Sequence, residues 1–138
     1  MHQLPPPQWL NAITHPFEYP IPCCDDALDN FGDSHGTLHF ISFDCKTGFH
    51  QIAVHEQDQE KLAFVCPDGL KHCYTIMPFG PMNAPATYTA MMFIMKTEYD
   101  TLFCTRYPDS WSKVSGKIIM DDGLLWAKDD PMLALHYF

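Results

Sequence analysis

Positive charge is the scarcest feature of this sequence: 8 Lys and Arg stand against 17 Asp and Glu in 138 residues, a net charge of −9. Taken alone, that balance argues against a nucleic-acid binder, which ordinarily shows phosphate a basic face. Long apolar runs are missing too, so no stretch has the length that spans a bilayer and no membrane role is expected. The opening Met1-His2-Gln3-Leu4-Pro5-Pro6-Pro7 lacks the basic region and apolar core of a secretory signal. The 6 cysteines include no CxxC spacing. Without a secretory signal they read as free, buried thiols rather than a disulfide framework. Cys66, His72 and Cys73 form the only local Cys/His cluster, and their spacing matches no usual zinc pattern. No internal repeat is visible.

What is present is a globular composition, 46% hydrophobic and 14% aromatic, enough for one domain with a real core. Prolines crowd the first 22 residues, which should therefore be extended and irregular. Cys24 to Phe31 reads as a short helix stopped by Gly32, and 33–36 as a turn. Thr37 to Phe43 is apolar on both alternating faces, the pattern of a strand buried on both sides, and it delivers Asp44 at its end. Phe49 to His55 alternates again. Lys61 to Cys66 and Leu70 to Met77 flank Pro67-Asp68-Gly69, a strong hairpin turn. Asn83 suits the N-cap of a helix from Ala84 to about Tyr99, with Met91, Met92 and Met95 as core filling. Asp100 to Gly116 reads as a loop. Two apolar strands, 117–120 and 123–127, then flank Asp121-Asp122 as a hairpin with acids at its tip. Asp129 or Asp130 caps a last helix of about one turn, with Pro131 near its start. The order predicts an α+β fold with a mostly antiparallel sheet flanked by helices.

Asp44 ends one strand, and Asp121 and Asp122 lie 77 and 78 positions later at a hairpin tip. Considered singly, each acid reads as a solvated turn residue. Together they suggest carboxylates converging from adjacent strands on divalent metal, because hard cations such as Mg²⁺ take oxygen ligands. Two such ions a few ångströms apart can clamp an in-line phosphoryl displacement.

The flanking blocks sharpen this reading. Leu10-Asn11-Ala12-Ile13-Thr14 and Tyr19-Pro20-Ile21-Pro22 are followed by Phe43-Asp44-Cys45-Lys46-Thr47-Gly48-Phe49-His50-Gln51-Ile52. Glu60-Lys61-Leu62-Ala63-Phe64 comes next, then Met77-Pro78-Phe79-Gly80 with Asn83-Ala84-Pro85-Ala86-Thr87-Tyr88, and finally Ile119-Met120-Asp121-Asp122. In this order they resemble the conserved-order blocks of reverse transcriptases from gypsy-type retrotransposons and, more distantly, from retroviruses.

That resemblance implies a partial polymerase domain, with fingers over 1–14 and 54–78 and palm over 15–53 and 79–138. It implies RNA-directed DNA polymerase activity with two Mg²⁺ or Mn²⁺ ions held by Asp44, Asp121 and Asp122, the Cys45 carbonyl adding a backbone ligand. The Thr47 and Gly48 amides would face the triphosphate of the incoming deoxynucleotide, Phe49 would be the steric gate beneath its sugar, and Phe79 would line the same pocket. An RNA or DNA template with its primer, deoxynucleoside triphosphates, and thumb and ribonuclease H regions of a polyprotein are the implied partners. The sequence departs from the pattern at Ile119, where the family has Tyr, and at Pro81, where it has a bulky apolar residue; Asp100 to Gly116 reads as an insertion. Two other classes stay open here: an inactive, truncated retroelement relic, and a Cys/His metal-binding interaction module.

Overall fold

The computed structural model describes residues 8–20 and 36–137. The helix expected from Cys24 to Phe31 and most of the turn at 33–36 lie outside them. In chain order the elements are α1 (Gln8–Ile13), β1 (Leu38–Asp44), a 3₁₀ turn (Gly48–Gln51), α2 (Glu56–Gln59), a second 3₁₀ turn (Glu60–Leu62), β2 (Ala63–Val65), β3 (Lys71–Cys73), α3 (Ala84–Arg106), a third 3₁₀ turn (Trp111–Lys113), β4 (Val114–Ile119), β5 (Asp122–Lys128) and α4 (Pro131–Tyr137). The described residues combine helices with antiparallel strands, the α+β class expected. They fall into two compact units, Met1–Tyr19 with Thr47–Tyr88 and Pro20–Lys46 with Thr89–Phe138.

In the first unit, α1 overturns the expectation of an irregular start. Gln8 to His15 is free of proline, and a proline run just before a helix is tolerated because the first-turn N–H groups have no intrahelical partner anyway. Asn11 ties the helix down: its Nδ2 donates to the Gly80 carbonyl at 2.9 Å and its Oδ1 accepts from the Met82 N–H at 2.8 Å. Asn83 does the converse, accepting from the Phe17 N–H at 2.9 Å and donating to the His15 carbonyl at 2.8 Å. Its side chain therefore straps a distant segment instead of capping α3.

The strand expected from Phe49 to His55 is a 3₁₀ turn at its start, and only Ala53 bridges, to Ile76. Thr47 explains the difference: at φ 53 it is left-handed, so the chain turns before it can extend. The β2–β3 hairpin forms about Pro67-Asp68-Gly69 with Gly69 at φ 83, and Asp68 Oδ1 accepts from the Leu70 N–H at 2.9 Å. Both strands are shorter than expected, because Glu60–Leu62 coils and pairing lapses after Cys73.

The second unit is built on a three-stranded antiparallel sheet in the order β1-β5-β4. Its core joins Phe103 of α3, Val114, Leu125 and Ala127 of the sheet, and Ala134 and Tyr137 of α4. Ala127 and Ala134 are essentially inaccessible; small side chains there let helix and sheet approach closely. One face of β1 packs on this core through Ile41 and Phe43, while Phe40 on the other stays 49% exposed. The strand is thus buried on one side, not two, as antiparallel sheets allow.

Helix α3 runs seven residues past the expected Tyr99, into the first part of the expected loop. Thr97, Thr101 and Thr105 bond their hydroxyls to the carbonyls four residues back, Lys96 pairs with Asp100 at 2.5 Å, and no Pro or Gly interrupts before Pro108. Of its expected core methionines Met92 is buried but Met95 is 53% exposed. Asp130 caps α4, accepting from the Met132 N–H at 2.9 Å, and this last helix extends seven residues rather than one turn. Cys45, Cys66, Cys73 and Cys104 are free, yet none is fully buried, against expectation. Among the described residues no helix is long and apolar enough to cross a membrane.

Candidate active site

The three acids gather at one end of the sheet. The β1–β5 ladder sets Asp44 directly opposite Asp122. Cross-strand partners project from the same face with Cβ atoms about 4.5–5.5 Å apart, where like charges destabilise. Just past the ladder the Cys45 N–H donates to the Asp121 carbonyl at 2.8 Å, which fixes the Asp121 backbone. Met120 and Asp121 form the two-residue tip between β4 and β5, so only Asp121 of the acid pair is at the tip and Asp122 already belongs to β5. Met120 takes φ 54, the left-handed geometry that a tight hairpin demands of its first loop residue.

Asp121 Oδ1 is buried and has no hydrogen-bond partner among the described residues. A carboxylate oxygen in that state is costly unless a cation or donor meets it. With Asp44 and Asp122 at the same strand ends, the donor set is all carboxylate oxygen, the hard ligands that Mg²⁺ and Mn²⁺ prefer. The residues present therefore fit a hard divalent ion. The three carboxylates are still open rather than closed into a cage: among the described residues the only trio of metal-ligating side chains with its ligand atoms all within 4.8 Å of one another is Cys66, Asp68 and His72.

The remaining residues singled out from the sequence lie in the first unit. Thr47 is left-handed at φ 53 and ψ 39, and it opens the 3₁₀ turn that contains Gly48 and Phe49. Gly48 has no room for a side chain, because a Cβ there would run into the Tyr88 ring and hydroxyl. Phe49 is buried, stacked on Tyr88 at 4.9 Å between ring centroids and tilted against Phe79 at 5.1 Å. Phe79 is half exposed, with the His50 ring edge-on at 5.2 Å. The sequence alone points to no role for Tyr88 or Asn11, and for Asn83 only to a helix cap, not to the strap it forms. Their positions within the flanking blocks were the available signal; their partners, 40 to about 70 residues away, were not visible there.

The second unit thus combines helices with an antiparallel sheet that carries Asp44 opposite Asp122 and Asp121 at the adjoining hairpin tip. A family model for reverse transcriptase (RNA-dependent DNA polymerase) matches residues 8–128, and the chain belongs to that family. Over 83 residues it is 42% identical to the retrovirus-related Pol polyprotein from transposon 297 of Drosophila melanogaster, a match covering 60% of this chain and 8% of that protein. Over 100 residues it is 36% identical to the corresponding polyprotein from transposon opus of the same organism, covering 72% of this chain and 10% of that protein. Among solved structures, the prototype foamy virus protease-reverse transcriptase matches with 23% identity and a TM-score of 0.49, over 70% of this chain and 11% of the other. The chain thus spans about a tenth or less of the curated relatives it matches.

Proposed function

We propose that this chain is the catalytic core of an RNA-directed DNA polymerase from a gypsy-type retrotransposon polyprotein, adding deoxynucleotides to a primer along an RNA or DNA template. The observation that carries the reading is the buried Asp121 Oδ1, without a partner among the described residues, at the end of the sheet where Asp44 faces Asp122. Asp44 and Asp121 are the metal ligands, Asp122 is the adjacent acid, and the Cys45 carbonyl is a further donor. Bound Mg²⁺ or Mn²⁺, two ions in all, would neutralise charge on the attacking and leaving oxygens of the transfer. The Thr47 and Gly48 amides receive the triphosphate; a left-handed residue followed by a turn presents successive N–H groups in the manner of an anion nest. Phe49 excludes a ribose 2′-hydroxyl and Phe79 lines the nucleotide pocket. Fingers (1–14 and 54–78) and palm (15–53 and 79–138) are the proposed division, and thumb and ribonuclease H regions of the polyprotein complete the machine.

Two measurements test this. Water-proton relaxation with Mn²⁺ should show binding to the chain that Asp121→Asn abolishes and Ser42→Ala leaves intact. Residues 8–128, exchanged for the matching segment of the transposon 297 polyprotein, should support primer extension that Asp121→Asn lowers on the order of a hundredfold or more. Extension indifferent to Asp44 and Asp121 would sink the reading. One observation favours a second reading, an inactive relic that keeps the fold: a net charge of −9 is a poor match to a template duplex. A chimera that folds, binds Mn²⁺ and yet extends nothing is its signature.

A further inference from the structure

Away from the carboxylates of the sheet, the tip of the β2–β3 hairpin gathers three different metal-ligating groups. The Cys66 thiol, an Asp68 carboxylate oxygen and an imidazole nitrogen of His72 all lie within 4.8 Å of one another. The register shows why. Phe64 pairs with His72, so both project from one face of the hairpin, and Cys66, two residues on from Phe64, projects from that face as well. The Cys66 N–H donates to the Leu70 carbonyl and the Gly69 N–H to the Cys66 carbonyl, each at 2.9 Å, which closes the turn beneath the thiol. Asp68 spends Oδ1 on the Leu70 N–H at 2.9 Å, a bond that orients its carboxylate within the turn. The Phe64 ring stacks on the His72 imidazole at 5.8 Å between centroids and 26° between planes, which limits the ring's freedom. Cys73, the other thiol of the hairpin, follows His72 directly and so projects from the opposite face.

We propose that Cys66, Asp68 and His72 bind one Zn²⁺ or a similar borderline dication. Ligand atoms on a tetrahedral zinc sit about 2.0–2.3 Å from the metal, hence roughly 3.3–3.8 Å apart, so only a small closure from the present spacing is needed. The thiolate and imidazole select against Mg²⁺, the ion suited to the sheet carboxylates. Three protein ligands leave one position for water, which half-buried Cys66 and exposed Asp68 and His72 readily admit. The consequence is mechanical. Two paired strands of three residues each are marginal on their own, and a metal bridging turn and strand staples them. This site is independent of the polymerase reading and stands or falls separately from it.

The test uses the 138-residue chain, reduced and stripped of metal. Titration with Co²⁺ should give one equivalent of tetrahedral absorption with a thiolate charge-transfer band in the near ultraviolet, displaced by Zn²⁺ and not by millimolar Mg²⁺. Cys66→Ser should remove the charge-transfer band, and His72→Gln should weaken Zn²⁺ binding by at least about tenfold, since even loss of a ligand's supporting partner commonly costs that much. Cys73→Ser should leave both unchanged. All three positions are partly or fully exposed, so the variants should keep the wild-type circular dichroism. No charge-transfer band in the wild type, a band that survives Cys66→Ser, or a band lost to Cys73→Ser would each overturn the proposal.

Discussion

Three single positions carry conformational demands that a substitution exposes at once. Met120 sits at φ 54, where a side chain branched at Cβ is strained more than an unbranched one. Met120→Val should lower the urea-unfolding free energy by about 1 kcal/mol, and Met120→Gly should leave it level or raise it. A Val variant as stable as wild type would show that the tip is not held left-handed. Gly48 is the complementary case, since its missing side chain is replaced by the ring of Tyr88, itself 1% exposed and unable to retreat. Gly48→Ala should cost about 1–3 kcal/mol, the usual range for overpacking a filled interior, and Tyr88→Phe in the same chain should recover part of it. Phe49 shares that interior. Phe49→Ala should cost about 3–5 kcal/mol and, in the chimeric polymerase, raise incorporation of ribonucleotides relative to deoxynucleotides. An unchanged ratio removes Phe49 from the gate.

At the scale of elements, α4 is fastened to α3 by a polar triad at the edge of the second unit's core. Tyr137 donates to Asp100 in a short hydrogen bond, Lys96 pairs with the same carboxylate at 2.5 Å, and its ammonium lies 3.4 Å from the Tyr137 hydroxyl. Burial, followed by the bond to Asp100 and its charge, holds the Tyr137 phenol well above its ordinary value near 10. The folded state therefore keeps this proton where the unfolded chain has released it. The stability this contributes is fully present below about pH 10 and is lost as pH climbs toward the raised folded value. Unfolding free energy should accordingly fall from pH 10 to 12, and Tyr137→Phe should flatten that fall, while costing about 1 kcal/mol at neutral pH for the lost hydrogen bond. Equal slopes in the two proteins would mean that the phenol titrates freely.

For the whole molecule the deciding quantity is charge. With 8 cationic side chains against 17 acidic ones, phosphate backbones are repelled, and catalysis that rests on positioning a primer end suffers steeply from loose binding. The 138-residue chain by itself should therefore extend an RNA-templated primer no better than its Asp121→Asn variant, with Mg²⁺ or Mn²⁺ alike. Incorporation clearly above that blank would show that these residues alone suffice to hold the duplex.

What the sequence determined by itself was whatever depends on near neighbours. The turn at Pro67-Asp68-Gly69, the Asp130 cap of α4 and the placing of Asp121 at the β4–β5 tip follow from residues within a few positions of one another, and local turn chemistry acts without the rest of the chain. Family membership was legible for a related reason, since the blocks that carry it are contiguous and keep their order, and the family match over 8–128 agrees. The tertiary structure alone decided the rest. It set Asp44 opposite Asp122, left one oxygen of Asp121 buried with no partner among the described residues, and filled the space at Gly48 with Tyr88. It also turned Asn83 from a helix cap into a strap, carried α3 into a stretch that reads as a loop, and brought Asp68 rather than Cys73 to Cys66 and His72. Strand register and side-chain burial are settled by the free energy of distant surfaces meeting, and a one-residue change of register moves every side chain to the other face. Local patterns state which residues can pair or be buried; only the packed molecule selects among those possibilities.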